Sequence, residues 1–311
     1  MEESRVGVSA LAESLGLSQI TGNQDAIQRW IITPDVNRPG LELAGYVLES
    51  EKKRVVILGN KELTYIDTLS PEIARERFDS ITDGYTPCII ISSNRHCPDL
   101  LKEIAIEKNF PIFSSMKNSS SLMVDIIGFL EKSLAPNVQL HGCLVSIYGR
   151  GVIISGPSGI GKSEITLELV RKGHIMIADD VVIVSRIQNQ LIGRAPEILY
   201  GMLEIRGIGI IDCVKMFGAA AVMPESNVDY FVELQEWKHD NPIERDYLDE
   251  PLCQPILEVS IDKIRIPVSS GRSLSTIIET AVINKNLKKM GIDVNKEFDQ
   301  KIIDFISEKG D

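Results

Sequence analysis

One stretch constrains the fold of this chain more than any other: GVIISGPSGIGKSEITLELV, from Gly151 to Val170. Apolar residues lead into a glycine turn, a Lys-Ser pair closes it, and apolar residues resume at helical spacing, so strand, loop and helix are expected in that order. The eight residues Gly156, Pro157, Ser158, Gly159, Ile160, Gly161, Lys162 and Ser163 satisfy GxxxxGK[ST], the phosphate-binding P-loop. Gly156, Gly159 and Gly161 can turn several backbone N–H groups inward, making an anion nest that side chains would block. The start of the next helix adds unpaired N–H groups and partial positive charge. Lys162 is placed to reach the outer phosphates, and the Ser163 hydroxyl to ligate Mg²⁺. The loop therefore reads as a cradle for a nucleotide or pyrophosphate on an α/β core.

At 311 residues the chain has room for two domains. Residues 1–132 read as an α/β unit of their own, with strand-like runs at 54–58 and 88–92. Helices are expected after each, from Pro71 and from Pro98, both with a proline-then-acid start. A further helix, SSSLMVDIIGFLEKSLAP, ends at Pro136. The second domain, 133–311, opens with strands from Cys143 to Tyr148 and from Gly151 to Ser155, joined by a Gly149-Arg150 turn. After the loop helix, which stops at Gly173, comes a strand ending in Asp179-Asp180. The chain closes with a helix over about 275–289 and a charged tail expected to be mobile.

Composition narrows the partners. A net charge of −11 argues against phosphate-backbone binding, which needs clustered Lys and Arg. No run reaches the roughly 18 uncharged apolar residues of a membrane span, and acidic Glu2, Glu3 and Glu13 stand where a leader would be basic and apolar. Five scattered cysteines without a CxxC pair suit reduced thiols, so a cytoplasmic protein is expected.

A P-loop alone does not distinguish an ATPase, a switch or a kinase. Adjacent strand residues point to opposite faces, so Asp179 and Asp180 cannot both face the metal. Either could bind the ion or remove a proton from an attacking hydroxyl. The stretch Leu203, Glu204, Ile205, Arg206, Gly207, Ile208, Gly209, Ile210, Ile211, Asp212 reads as a strand whose glycines admit another backbone or a ligand, with Glu204 as a second oxygen ligand. His141 is a lone histidine whose role the spacing leaves open.

Together, HGCLVSIYGRGVIISGPSGIGKSE, KGHIMIADDVV, GRAPE, LEIRGIGIID and, in the first half, RPGLELAGY resemble the bacterial HPr kinase/phosphorylase family along the whole chain. That resemblance implies a P-loop kinase domain allied to the phosphoenolpyruvate carboxykinase core, preceded by a separate α/β domain of structural or assembly role, in a homohexamer. It implies an enzyme that uses ATP or pyrophosphate to phosphorylate a serine of the phosphocarrier HPr in carbon catabolite regulation. The same enzyme would run phosphorolysis, in which inorganic phosphate attacks phosphoseryl-HPr to give pyrophosphate. It further implies His141, Lys162, Asp180 and Arg245 as catalytic positions, and Ser163 and Glu204 as Mg²⁺ ligands with Asp179 a possible third. An ATP-binding sensor without transfer activity and a small-molecule kinase are the alternative readings.

Two departures from the family pattern stand out. Pro157 occupies a position where the family usually has an acidic or small residue, removing one N–H from the nest. The stretch associated with dephosphorylation reads Pro267, Val268, Ser269, Ser270, Gly271, Arg272, with serines replacing the usual arginine and proline and Ser273 replacing asparagine. Losing that cation and rigid turn bears more on phosphorolysis than on the forward reaction.

Overall fold

The computed structural model describes residues 4–46, 53–236, 252–269 and 271–308. The chain divides into two compact units, 1–136 and 137–311. In the first, a five-stranded sheet runs in the order Ser18–Thr21, Ile112–Ser114, Ile89–Ile91, Val55–Leu58, Val36–Asn37. Only the Ser18–Thr21 pairing is antiparallel. Val55–Leu58 and Ile89–Ile91 are buried throughout because helices cover both faces of the sheet. One face packs on the helices Asn60–Ile66, Pro71–Ile81 and Asp99–Glu107, the other on Val8–Ser14 and Ser119–Leu134. The helix starts follow the local chemistry: Ser70 Oγ accepts from Ile73 N ahead of Pro71, and Asn118 Oδ1 accepts from Ser121 N at 2.9 Å.

The second unit is built on a six-stranded mixed sheet, ordered Ile175–Ala178, Cys143–Ile147, Arg150–Ser155, Tyr230–Glu236, Val259–Val268, Cys253–Ile256. The Arg150–Ser155, Tyr230–Glu236 and Val259–Val268 strands are mutually parallel, so their carboxyl ends share one edge. Val152 and Ile154 point to one face, where they pack against Ile165 and Leu169 of the loop helix Lys162–Arg171 and against Ile278 and Val282 of the helix Leu274–Lys289. Truncating a fully buried side chain there, as in Leu169→Ala, would cost roughly 2–5 kcal/mol. Leu144 and Ile153 point the other way, onto a four-stranded antiparallel layer ordered Glu225–Asn227, Gln190–Arg194, Val181–Ile187, Asn137–His141. That layer carries His141 and Val181 to the edge where the glycine loop leaves its strand.

Two local expectations change, and one helix is added. The hairpin turn is Tyr148-Gly149, both at positive φ (51° and 77°), and Arg150 already belongs to the second strand. Two consecutive left-handed residues match the right-handed twist of the strands they join. Asp179 and Asp180 lie just past the strand that ends at Ala178, in the bend before Val181. The charged tail carries a helix, Val294–Glu308, with Phe298, Ile302, Phe305 and Ile306 among its exposed side chains.

Candidate phosphoryl-transfer site

The parallel strand Arg150–Ser155 delivers the chain to Gly156, and the helix begins at Lys162. Gly159 and Gly161 hold φ of +87° and +98°, the left-handed region that glycine enters without a Cβ penalty. Gly156 is required for a different reason: a Cβ there would sit 2.9 Å from the Leu234 carbonyl oxygen on the neighbouring strand. Lys162 Nζ folds back on the loop, donating to the carbonyls of Gly156 at 3.0 Å and Pro157 at 3.1 Å. Pro157 thus contributes an acceptor where it cannot contribute a donor. The loop closes through Ile160 N to the Pro157 carbonyl at 3.3 Å. Ser158 is exposed at the tip.

Beneath the helix start, Ser163 Oγ lies 3.1 Å from each oxygen of Asp179. Asp179 is 4% exposed, and its Oδ2 also accepts from the backbone N of Glu204 at 3.2 Å. Desolvation raises its pKa; hydrogen bonds from Cys143, Glu204 N and Ser163 oppose this only partly. Cys143, one of the five scattered thiols in the sequence, donates to Asp179 Oδ1 at 2.8 Å. No sequence signal marks it, because the two residues stand 36 positions apart and meet only through the fold.

Asp180 takes the opposite role. It is exposed, at φ +64°, and its carbonyl accepts from Gly142 N at 3.0 Å. Val181 faces His141 across the antiparallel layer, so the Asp180 backbone and exposed His141 are neighbours. The His141 carbonyl in turn accepts from Ser155 Oγ at 3.4 Å, tying the histidine to the strand that feeds the loop. The acidic pair is therefore split between one carboxylate buried under the loop helix and one facing solvent beside His141.

The stretch from Leu203 to Asp212 is a hairpin, Met202–Ile205 against Gly209–Asp212. Leu203 and Ile205 are buried, Ile211 is half-buried, while Ile208 and Ile210 are 74% and 73% exposed. Gly207 and Gly209 have open space where a Cβ would stand, so close approach does not explain them. Their φ values of +83° and +101° do, because the turn needs the left-handed region. Arg206 reaches the P-loop, with its guanidinium where a Gly159 side chain would be. Glu204 leaves its side chain exposed while its N–H holds Asp179. Asp212 caps the helix Cys213–Phe217, accepting from Lys215 N at 3.0 Å. That backbone bond, with the Lys215 side chain, lowers the Asp212 pKa.

Pro267 and Val268 end the strand Val259–Val268; Ser269 follows, Gly271 turns at φ +85°, and Arg272 is exposed. Ser273 then caps the helix Leu274–Lys289. Serine and asparagine are both good N-caps, so the Asn-to-Ser departure leaves this helix start intact. Ser270 and Arg245 lie outside the described residues.

Two oxygen donors meet below the loop, Ser163 Oγ and the Asp179 carboxylate, and Glu204, whose backbone N–H binds Asp179, carries a third carboxylate on an exposed side chain. This hard donor set suits Mg²⁺. Among the described residues no group of three His, Cys, Asp or Glu side chains could hold an ion unaided. A nucleotide-site Mg²⁺ takes its remaining ligands from phosphates and water. No described helix is long and apolar enough to cross a membrane.

Comparison with known proteins identifies the family. Residues 6–130 match the family model described as HPr Serine kinase N terminus, and residues 132–302 match that described as HPr Serine kinase C-terminal domain. A protein of Bacillus cereus (strain B4264) named HPr kinase/phosphorylase is 39% identical over 303 residues, 97% of each chain. One of the same name from Geobacillus thermodenitrificans is 38% identical over 305 residues, 98% of each. A solved structure titled as the HPr(Ser) kinase/phosphatase from Coxiella burnetii aligns at TM-score 0.46 and 38% identity, over 52% of this chain and 98% of its own. Matched by both family models across most of its length, the chain belongs to the HPr serine kinase family.

Proposed function

We propose that this chain is a bifunctional protein serine kinase and phosphorylase acting on HPr. It would use ATP or pyrophosphate to phosphorylate a serine of that carrier, and inorganic phosphate to remove the group as pyrophosphate. The observation that carries the reading is the split acidic pair: a P-loop with one carboxylate on its Ser163 and a second, solvent-facing carboxylate beside His141. A nucleotide sensor has no use for the second.

In the forward direction Asp180 accepts the proton of the seryl hydroxyl as its oxygen bonds to the terminal phosphorus and the bond to ADP, or to phosphate, breaks. In reverse the same carboxyl returns the proton to the seryl oxygen as phosphate attacks the phosphoserine. Microscopic reversibility assigns both steps to one group. Lys162 leaves the Gly156 and Pro157 carbonyls for the phosphates and, with Arg245, neutralises charge on the transferring group. His141 holds the acceptor side. Ser163 and Glu204, with Asp179 behind Ser163, would hold Mg²⁺, which supplies further charge neutralisation when bound.

The family resemblance extends the proposal to a homohexamer, to residues 1–132 as an assembly domain and 133–311 as the catalytic domain, and to a cytoplasmic enzyme. The test is incubation with purified HPr, ATP and Mg²⁺, then phosphoseryl-HPr with phosphate. Phosphoserine formation, and its loss with release of pyrophosphate, is expected. A chain that binds nucleotide yet phosphorylates no HPr would refute the kinase assignment.

A further inference from the structure

The strand Ile175–Ala178 departs from regular register against Cys143–Ile147. Ile175 faces Ser146 and Met176 faces Val145, yet Ala178 faces Leu144, so a bulge at Ile177 absorbs one residue. Regular pairing would set Ala178 opposite Cys143. The bulge advances the count by one and sets Asp179 there. Both side chains are buried, and the thiol is 2.8 Å from Asp179 Oδ1.

Three donors then meet one carboxylate: Cys143 Sγ on Oδ1, Glu204 N on Oδ2, and Ser163 Oγ within 3.1 Å of both. The terminal torsion of an aspartate is soft, with a broad two-fold profile. A thiol on one oxygen and a backbone N–H on the other remove that freedom. We propose that Cys143 is a positioning residue for the P-loop, its S–H locking the Asp179 carboxylate in the orientation that receives the Ser163 hydroxyl. A Ser163 whose proton is committed to Asp179 presents its oxygen lone pairs outward, as a Mg²⁺ ligand must. Valine would fill the space but donate nothing; serine would donate. The inference rests on the reading of Ser163 as the metal-binding hydroxyl of a phosphoryl-transfer site.

The experiment compares full-length Cys143→Val and Cys143→Ser with the native chain, using binding of a fluorescent ATP analogue over a Mg²⁺ titration. Cys143→Val should raise the half-saturating Mg²⁺ concentration about tenfold, with Mg²⁺-free nucleotide binding unchanged. Cys143→Ser should stay within about twofold of the native chain. Equal behaviour of the two variants, impaired or not, would overturn the proposal. Should Cys143→Val fail to fold, infrared spectroscopy of the native chain decides. One S–H stretching band should lie at lower wavenumber than the rest, vanish in Cys143→Ser and move back in Asp179→Asn; absence of a shifted band overturns the assignment. HPr phosphorylation by the native chain is assayed in parallel. Its failure refutes the proposed function, whereas the Mg²⁺ titration and the S–H band judge Cys143 alone.

Discussion

Gly159 and Arg206 interlock: a Cβ on Gly159 would stand 2.9 Å from one Arg206 guanidinium nitrogen. The hairpin Met202–Asp212 thereby lays a cation against the phosphate loop. Gly159→Ala meets two penalties, the guanidinium and a φ of +87°. The backbone penalty is about 1–2 kcal/mol, and nucleotide affinity should fall about tenfold or more. Adding Arg206→Ala removes the collision but not the strain, so the double variant should remain weaker than the native chain in an ATP titration.

Asp180→Asn keeps the exposed bend and its carbonyl bond from Gly142 N. Nucleotide affinity should stay within a few-fold, while transfer falls by about 10²–10⁴ in both directions. Rates of HPr phosphorylation and phosphorolysis check this together. A variant that keeps either direction would show that the carboxyl is not shared.

Lys162→Met removes a charge whose resting hydrogen-bond partners among the described residues are two loop carbonyls. Folding stability should change by less than about 1 kcal/mol. Affinity for ATP and pyrophosphate should drop by at least about tenfold, an electrostatic loss that calorimetric titration would report.

Glu279 accepts from His174 Nε2 at 2.7 Å and from Lys172 Nζ at 2.5 Å, joining the helix Leu274–Lys289 to the end of the loop helix. Burial raises its pKa, but bonds from Lys172 and His174 together outweigh that and leave it lowered from the ordinary 4.5. A depressed carboxylate stabilises the fold above its unfolded value and loses that contribution as pH falls through the folded value. Glu279→Gln should therefore cost about 1–2 kcal/mol near neutrality. The gap should close below the ordinary glutamate range, as thermal melts across pH would show.

Gly151→Ala would put a methyl group onto the Asn227 carbonyl oxygen, between strands of the two layers held together there by the bond from Asp229 N to the Gly151 carbonyl. Destabilisation of about 3 kcal/mol or more is expected from urea midpoints. Gly173→Ala, in open space at φ +96°, should show the strain alone and cost less.

The chain itself determined the elements whose causes are local. The P-loop, the Ser70-Pro71 helix start and the stop at Gly173 follow from backbone angles and capping groups set within a few residues. So does the family, carried by contiguous motifs such as LEIRGIGIID. Tertiary structure alone decided how the acidic pair is placed, because a bulge in a strand paired with one about thirty positions away turns Asp179 under Ser163 and leaves Asp180 outside. It also decided that Arg206 covers Gly159 and that Cys143 meets Asp179. Those contacts depend on register between distant strands, and side-chain alternation reverses with a shift of one residue, a choice settled by packing rather than by local preference.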